Sequence, residues 1–226
     1  MKQILTILFV LLIAPVSQAA TFTYTSGALD TASAVSHTTC TLGSCADYNS
    51  TMHATGSITA TALPANQHDL DPNPYLTSFT FFDGITTYSS ADPNVRAAWV
   101  VETDAAGNIT FINALFERWQ AGSAPHAAGG RVDMLRINGP AIGWHNRSCL
   151  TVGSSGFPQN VTDYCADDTP DANSSFGPYA TADWIVSAAP AASASTSVPT
   201  LSEWGLMILS TLMAILAVAW MRRRAH

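Results

Sequence analysis

Thr77-Ser78-Phe79-Thr80-Phe81-Phe82-Asp83-Gly84-Ile85-Thr86-Thr87-Tyr88 is the stretch on which the fold turns. Phe79 and Phe81 alternate with Ser78 and Thr80. That period of two sends rings to one face of a strand and hydroxyls to the other. Asp-Gly between two such runs is the strongest short signal for a β-hairpin. Two antiparallel strands are therefore expected, Thr77–Phe82 and Ile85–Tyr88, joined at Asp83-Gly84.

The same texture extends in both directions. Upstream, Phe22 and Tyr24 alternate with threonine over Thr21–Thr25, and Ser57–Leu63 alternates again. Pro64, Pro72 and Pro74 mark the stretch from Leu63 to Tyr75 as a loop. Downstream, Ala97–Thr103 reads as a strand, 105–108 as a turn, and Ile109–Trp119 as a longer strand. Both faces of that longer strand are fairly apolar, Ile109, Phe111, Asn113 and Leu115 on one and Thr110, Ile112, Ala114 and Phe116 on the other, so it is expected to be central in its sheet rather than at an edge. Val132–Ile137 and Asp183–Ser187 complete the expected set. Short strands divided by Gly, Pro and Asn turns point to an all-β fold, an antiparallel β-sandwich or jelly roll.

Residues 20–187 suffice for one domain with a genuine core. The formal charge of the chain is −7, but it is unevenly spread. Residues 20–197 hold fifteen carboxylates, no lysine and only Arg96, Arg118, Arg131, Arg136 and Arg147, a net −10. Such a surface repels phosphate backbones, so no nucleic acid is expected as a partner.

Four cysteines suit an oxidising compartment. Four allow three pairings; the expected one joins neighbours, Cys40 with Cys45 and Cys149 with Cys165. Neither spacing matches a zinc knuckle, and no metal or cofactor is expected.

Both ends of the chain carry addresses. Lys2, the apolar Ile4–Ala14 and the small-x-small site Ser17-Gln18-Ala19 read as a secretory signal peptide, residues 1–19. Its partners would be the Sec translocon and signal peptidase. Residues 188–197 contain only Ala, Pro, Ser and Thr and read as a linker. Val198-Pro199-Thr200-Leu201-Ser202-Glu203-Trp204-Gly205 follows, then an apolar run, then Arg222-Arg223-Arg224. As a transmembrane helix, residues 206–221 would reach about 24 Å, against a hydrocarbon core of roughly 30 Å. Trp204 and Trp220 bracket the run as interfacial anchors, and the arginines mark the cytoplasmic side. The expected topology is inner-membrane anchored, with the domain in the periplasm.

This tripartite tail, residues 198–226, resembles the IPTL-CTERM sorting signal of Gram-negative bacteria, a relative of the PEP-CTERM signals read by exosortases. Val198 stands where that family usually has Ile. The resemblance implies that an exosortase-type transpeptidase cuts near the motif, after which the domain reaches the cell surface or the medium. An ordinary single-pass anchor would need only the apolar run and the arginines, leaving Pro199-Thr200-Leu201 and Trp204-Gly205 without a purpose. Thr77–Gly84 and Thr103–Thr110 also resemble the β-rich domains that such sorted proteins carry, which have no established activity to transfer.

Candidate sites are few. Trp99, Trp119 and Trp184 are expected to be packed. Gly143-Trp144-His145-Asn146-Arg147 reads as a loop in which Trp144, His145, Asn146 and Arg147 could converge on a polar ligand such as polysaccharide. Asp167–Asn173 and Asp69–Asn73 cluster oxygens but lack the spacing of a calcium loop, so exposed acidic loops are expected. No Gly-x-Ser-x-Gly elbow, His-Glu-x-x-His or phosphate loop occurs. Glu102 and Glu117 have no special standing as a glycosidase pair, and Glu117 is expected at the solvent end of its strand. The sequence thus points to a non-enzymatic exported protein with a structural, adhesive or polysaccharide-associated role. The alternative is a secreted hydrolase of envelope carbohydrate.

Overall fold

The structure, a computed structural model, describes residues 19–156, 159–180, 187–188, 208–213 and 220–221. Contacts divide the chain into residues 1–189 and 190–226. In the second unit, 208–213 and 220–221 are helical. Among the described residues no helix is long and apolar enough to cross a membrane. The rest of the expected 206–221 helix, the motif 198–205, Arg222–Arg224 and the signal peptide before Ala19 lie outside the described residues.

The first unit is all-β: β1 (Ala20–Ala28), β2 (His53–Ala60), β3 (Leu76–Phe82), β4 (Thr87–Ser89), β5 (Val95–Thr103), β6 (Ile109–Trp119), β7 (Arg131–Asn138), β8 (Ala141–Ser154), β9 (Thr162–Thr169), β10 (Ser175–Pro178) and β11 (Ser187–Ala188). They form two antiparallel sheets, ordered β11-β1-β2-β3-β4 and β10-β8-β7-β6-β5, with β9 paired to β8. β6 is central, as its two apolar faces imply. Of the strand expected over Asp183–Ser187, only Ser187 is described.

The inward rows carry the core. Phe22, Tyr24, Ile58, Phe79, Phe81 and Tyr88 from one sheet meet Trp99, Val101, Ile112, Ala114, Phe116, Leu135 and Ile137 from the other. Phe81 stacks on Phe116 with ring centroids 4.4 Å apart, and Trp99 sits edge-on to Phe79 at 5.5 Å. Such pairs add about 0.5–1.5 kcal/mol each beyond the area they bury.

The hairpin at Asp83-Gly84 forms, but with a longer loop than expected. Phe82 pairs with Thr87, so Asp83–Thr86 is a four-residue connection and Ile85 and Thr86 are not in a strand. Asp83 is the reason. Its carboxylate accepts the backbone N–H groups of Ile85 at 2.8 Å and Thr86 at 2.6 Å, while Gly84 adopts φ +95°. Side-chain capping of this kind gives the backbone an alternative to the ladder.

Three strands were not legible. β8 occupies the stretch read as a loop around Trp144, β9 ends within the acidic stretch at Thr169, and β10 follows that stretch. The β8–β9 hairpin folds over the outward face of β6 and β7, where Trp119, Val132, Met134, Cys149 and Cys165 form a second cluster. Cys149–Cys165 pins it, and Cys40–Cys45 closes the loop before β2, the expected pairing. In the chain-entropy account the first of these is worth about 3 kcal/mol.

That hairpin also corrects the placement of Glu117. Its side chain is fully buried, and both carboxylate oxygens accept the N–H of Cys165 on β9, at 2.9 and 3.0 Å. Burial pushes its pKa up to about 8. Glu102 sits near the far end of the β5–β6 ladder, beside His68, so the two glutamates do not form a pair.

Candidate functional site: a polar end to the sandwich

The inward rows of three adjacent strands change character at the same end. On β6 the row runs Ile112, Ala114, Phe116, Arg118; on β7, Ile137, Leu135, Asp133; on β8, Ala141, Gly143, His145. Three apolar rows thus terminate in Arg118, Asp133 and His145. The β7–β8 ladder bulges there, since Val132 pairs with Arg147 and Met134 with Trp144, leaving Asp133 opposite both His145 and Asn146. Asn146 takes φ +59°, the left-handed conformation that asparagine tolerates.

Asp133 is the hub. It accepts from His145 Nδ1 at 2.9 Å, Asn146 N at 2.8 Å, Gln120 Nε2 at 2.7 Å and the Thr86 hydroxyl at 3.0 Å. Burial alone would raise its pKa, but His145 and the other donors outweigh that and hold the carboxyl low. For His145, burial disfavours the charge, yet the bond to Asp133 prevails and its pKa is raised. Its Nε2 faces the Ser44 backbone, which favours the protonated form, but makes no hydrogen bond of ordinary geometry.

Asp83 forms the adjoining layer. The hydroxyls of Tyr48 and Tyr88 donate to its carboxylate at 3.0 and 2.9 Å, and Tyr179 donates to its carbonyl. Burial lifts its pKa to about 6 against these bonds. The Tyr48 ring lies where side chains at the paired Gly143 and Gly177 would project, so neither position can carry a Cβ without collision.

Above these groups lies a cleft of about 400 Å³, lined by Ser44, Thr86, Asp92, Arg118, Gln120, Asp133 and His145 among others. Arg118 pairs with Asp92 at 2.8 Å. Gln120 ties the disulfide loop to the floor, accepting from Ser44 N at 2.7 Å and donating to Asp133. The cleft presents a rigid set of donors and acceptors suited to a hydroxyl-rich ligand.

The arrangement lacks the relay of a hydrolytic triad. There the nucleophile bonds Nε2 while the acid holds Nδ1. Here Thr86 lies 3.3 Å from Nδ1, on the same side as Asp133, and donates to that carboxylate. The carboxyls with raised pKa values, Asp83 and Glu117, are sealed in the interior, and Asp92 and Asp133 at the cleft are held ionised.

The four residues expected to converge instead diverge, because they occupy a strand whose side chains alternate. His145 and Asn146 turn inward through the bulge, Trp144 packs on Phe176 with centroids 5.9 Å apart, and Arg147 pairs with Asp168. Asn146 donates to the carbonyls of Leu42 at 2.8 Å and Asn173 at 3.0 Å. Trp99 and Trp119 are buried, and Trp184 lies outside the described residues.

The acidic stretch at 167–173 is mostly spent on internal bonds. Asp168 and Asp171 pair with Arg147 and Arg131, and Asn173 is buried, accepting from Thr41 and Leu42. Asp71 caps Asn73 and accepts from Gln159. Among the described residues no group of three or more His, Cys, Asp or Glu is placed to hold a metal.

Asp83, Asp133 and Gln120 were missed as members of a site. The signal was present in the inward registers of β6, β7 and β8, each ending on a charged residue. It becomes readable only once β8 is known to be a strand.

The fold and cleft define the described domain as a disulfide-stapled β-sandwich with a polar end. The tail places the chain more narrowly. Residues 196–224 match the IPTL-CTERM motif, so the chain carries a C-terminal sorting signal of the kind that marks exported proteins for a processing enzyme. No curated protein and no solved structure matches it.

Proposed function

We propose that this is an exported protein, delivered by its C-terminal signal to the envelope or extracellular matrix. Its sandwich serves there in a structural, adhesive or polysaccharide-associated role without catalysis. The observation that carries the reading is the sorting motif at 196–224 behind a disulfide-bonded domain. In this account the 206–221 run holds the chain in the inner membrane with the arginines inside, until an exosortase-type transpeptidase cuts near Thr200-Leu201. The polar cleft supports the binding side of the reading, since its donors and acceptors are fixed before any ligand arrives.

The second reading, a hydrolase of envelope carbohydrate, draws on Asp92 and Asp133 lining one cleft. Both are held ionised, so neither supplies the protonated acid that glycoside hydrolysis requires.

The test is the intact mass of the protein recovered from its own cells and medium. A chain ending near Thr200 or Leu201 is expected. A mass running to His226 would overturn the sorting step and leave a permanent anchor. Release of reducing sugar from envelope polysaccharide by the purified protein, abolished in Asp133→Asn, would favour the hydrolase.

A further inference from the structure

Four of the five arginines in the domain are committed to carboxylates. Arg96 pairs with Asp163 at 2.5 Å, Arg118 with Asp92 at 2.8 Å, Arg131 with Asp171 at 2.6 Å, and Arg147 with Asp168. Arg136 is the exception. It lies exposed on the outward face of β7 and, among the described residues, makes no ion pair and no hydrogen bond. In a domain carrying fifteen carboxylates, an arginine left without one needs a reason.

Arg136 borders a cleft of about 310 Å³ on the outward face of β5–β6–β7, beside the β8–β9 hairpin. The cross-strand register places Ala98, Leu115 and Arg136 in one row, with Val100 and Asn113 in the next. Ala98, Val100 and Leu115 make an apolar floor, and Tyr164 of β9 forms a wall. Among the described residues no carboxylate lines this cleft. The nearest acid along the same face of β6 is Glu117, which is buried and bound to Cys165.

The polar groups at the rim are unspent. Asn113 is exposed, and its amide has no partner among the described residues. The Tyr164 hydroxyl is closed off from solvent, so this residue offers the cleft its ring as a wall and no hydrogen-bonding group. The set is thus one unpaired guanidinium, one amide, one aromatic wall and an apolar floor, in a volume at the small end of ligand pockets.

From this we infer that the Arg136 cleft is a subsite for an acidic sugar, a uronate unit of a polysaccharide. The inference rests on the polysaccharide-associated reading and names its chemistry. A guanidinium fork matches a carboxylate with two parallel hydrogen bonds. Asn113 meets ring hydroxyls, and the Leu115 floor and Tyr164 ring cover the C–H face of a pyranose. The negative charge elsewhere does not forbid this, because at physiological ionic strength charges more than about 8 Å away are largely screened.

The experiment is calorimetric titration of the full chain in detergent, in 0.15 M salt, with tetragalacturonate. A neutral glucan tetramer, acetate and inorganic phosphate serve as comparison probes. Tetragalacturonate is expected to bind at least tenfold more tightly than the other three. Arg136→Gln should weaken it at least tenfold and Arg136→Lys by less, with near-ultraviolet dichroism unchanged. Equal affinity in Arg136→Gln overturns the inference, as does phosphate or acetate binding as well as the tetramer. Neutral glucan binding that ignores Arg136 overturns it while sparing the wider reading, and failure to bind any polysaccharide from the native envelope removes both.

Discussion

The two ends of the sandwich interior are built on opposite rules. In the dry part, Phe79, Phe81, Trp99 and Phe116 interlock with no polar side chain among them. At the other end, Asp83, Asp133, His145 and Asn146 are buried just as deeply, and their side-chain polar atoms are bonded except His145 Nε2 and Asn146 Oδ1. The first is stabilised by area removed from water and tolerates conservative changes of shape. The second is held by mutual satisfaction, so each member is costly to lose alone. Only the second opens on a cleft, so it positions ligand-facing groups.

Four measurements test that contrast. Phe116→Ala should give the largest loss, about 4 kcal/mol in denaturant unfolding, since the ring touches Phe79, Phe81 and Trp99. A loss below about 2 kcal/mol would mean that the dry core collapses to fill the gap.

Asp133→Asn should cost about 3 kcal/mol, because one amide oxygen cannot replace two carboxylate oxygens accepting four bonds. Combining it with His145→Gln should cost about 1–2 kcal/mol less than the two separate losses together. Strict additivity would show that the polar end behaves like the dry core.

The pH profile separates the buried acids. Asp83, raised to about 6, and Glu117, raised to about 8, each hold stability below their unfolded pKa values and lose it as pH rises through the folded ones. His145, also raised, acts in the same direction near and above neutrality. Asp133, held low, contributes stability above its unfolded pKa that is lost as pH falls through the folded value. Stability should therefore peak near pH 4, on the basis of unfolded carboxyl values of about 4. Glu117→Gln should flatten the upper limb, gaining about 2 kcal/mol at pH 9 and little at pH 5. An unchanged slope would place the pH dependence at the polar end alone.

The smallest effect is expected from Asp92→Asn. Its partner Arg118 is about a third exposed, so the pair contributes under about 1 kcal/mol to unfolding. A larger loss would mean that the cleft rim is part of the buried network.

The difference between the two ends also explains what could be read in advance. β1 and β3 sort apolar from polar by alternation, β5, β6 and β7 are apolar-rich runs, and each formed within a few residues of its expected place. β8 did not announce itself. Gly143 is small to admit Tyr48, His145 is polar but buried, and Asn146 interrupts the period with a bulge. β9 carries Asp168, which read as part of an exposed acidic loop until Arg147 is brought to it, and Asp163, which takes Arg96 and His126. Glu117 looked like a strand end because its cover, β9, lies 48 residues further along the chain.

Local pattern was enough to determine the all-β class, the central position of β6, the neighbouring disulfides and the sorting signal, because each is written in spacing or composition within a short window. Only the tertiary structure decided that Asp133 and His145 meet, that Glu117 is buried, and that Arg136 has no carboxylate partner among the described residues. Those outcomes depend on which distant groups arrive beside a side chain. A polar residue in the sequence looks the same whether water or a buried partner receives its hydrogen bonds.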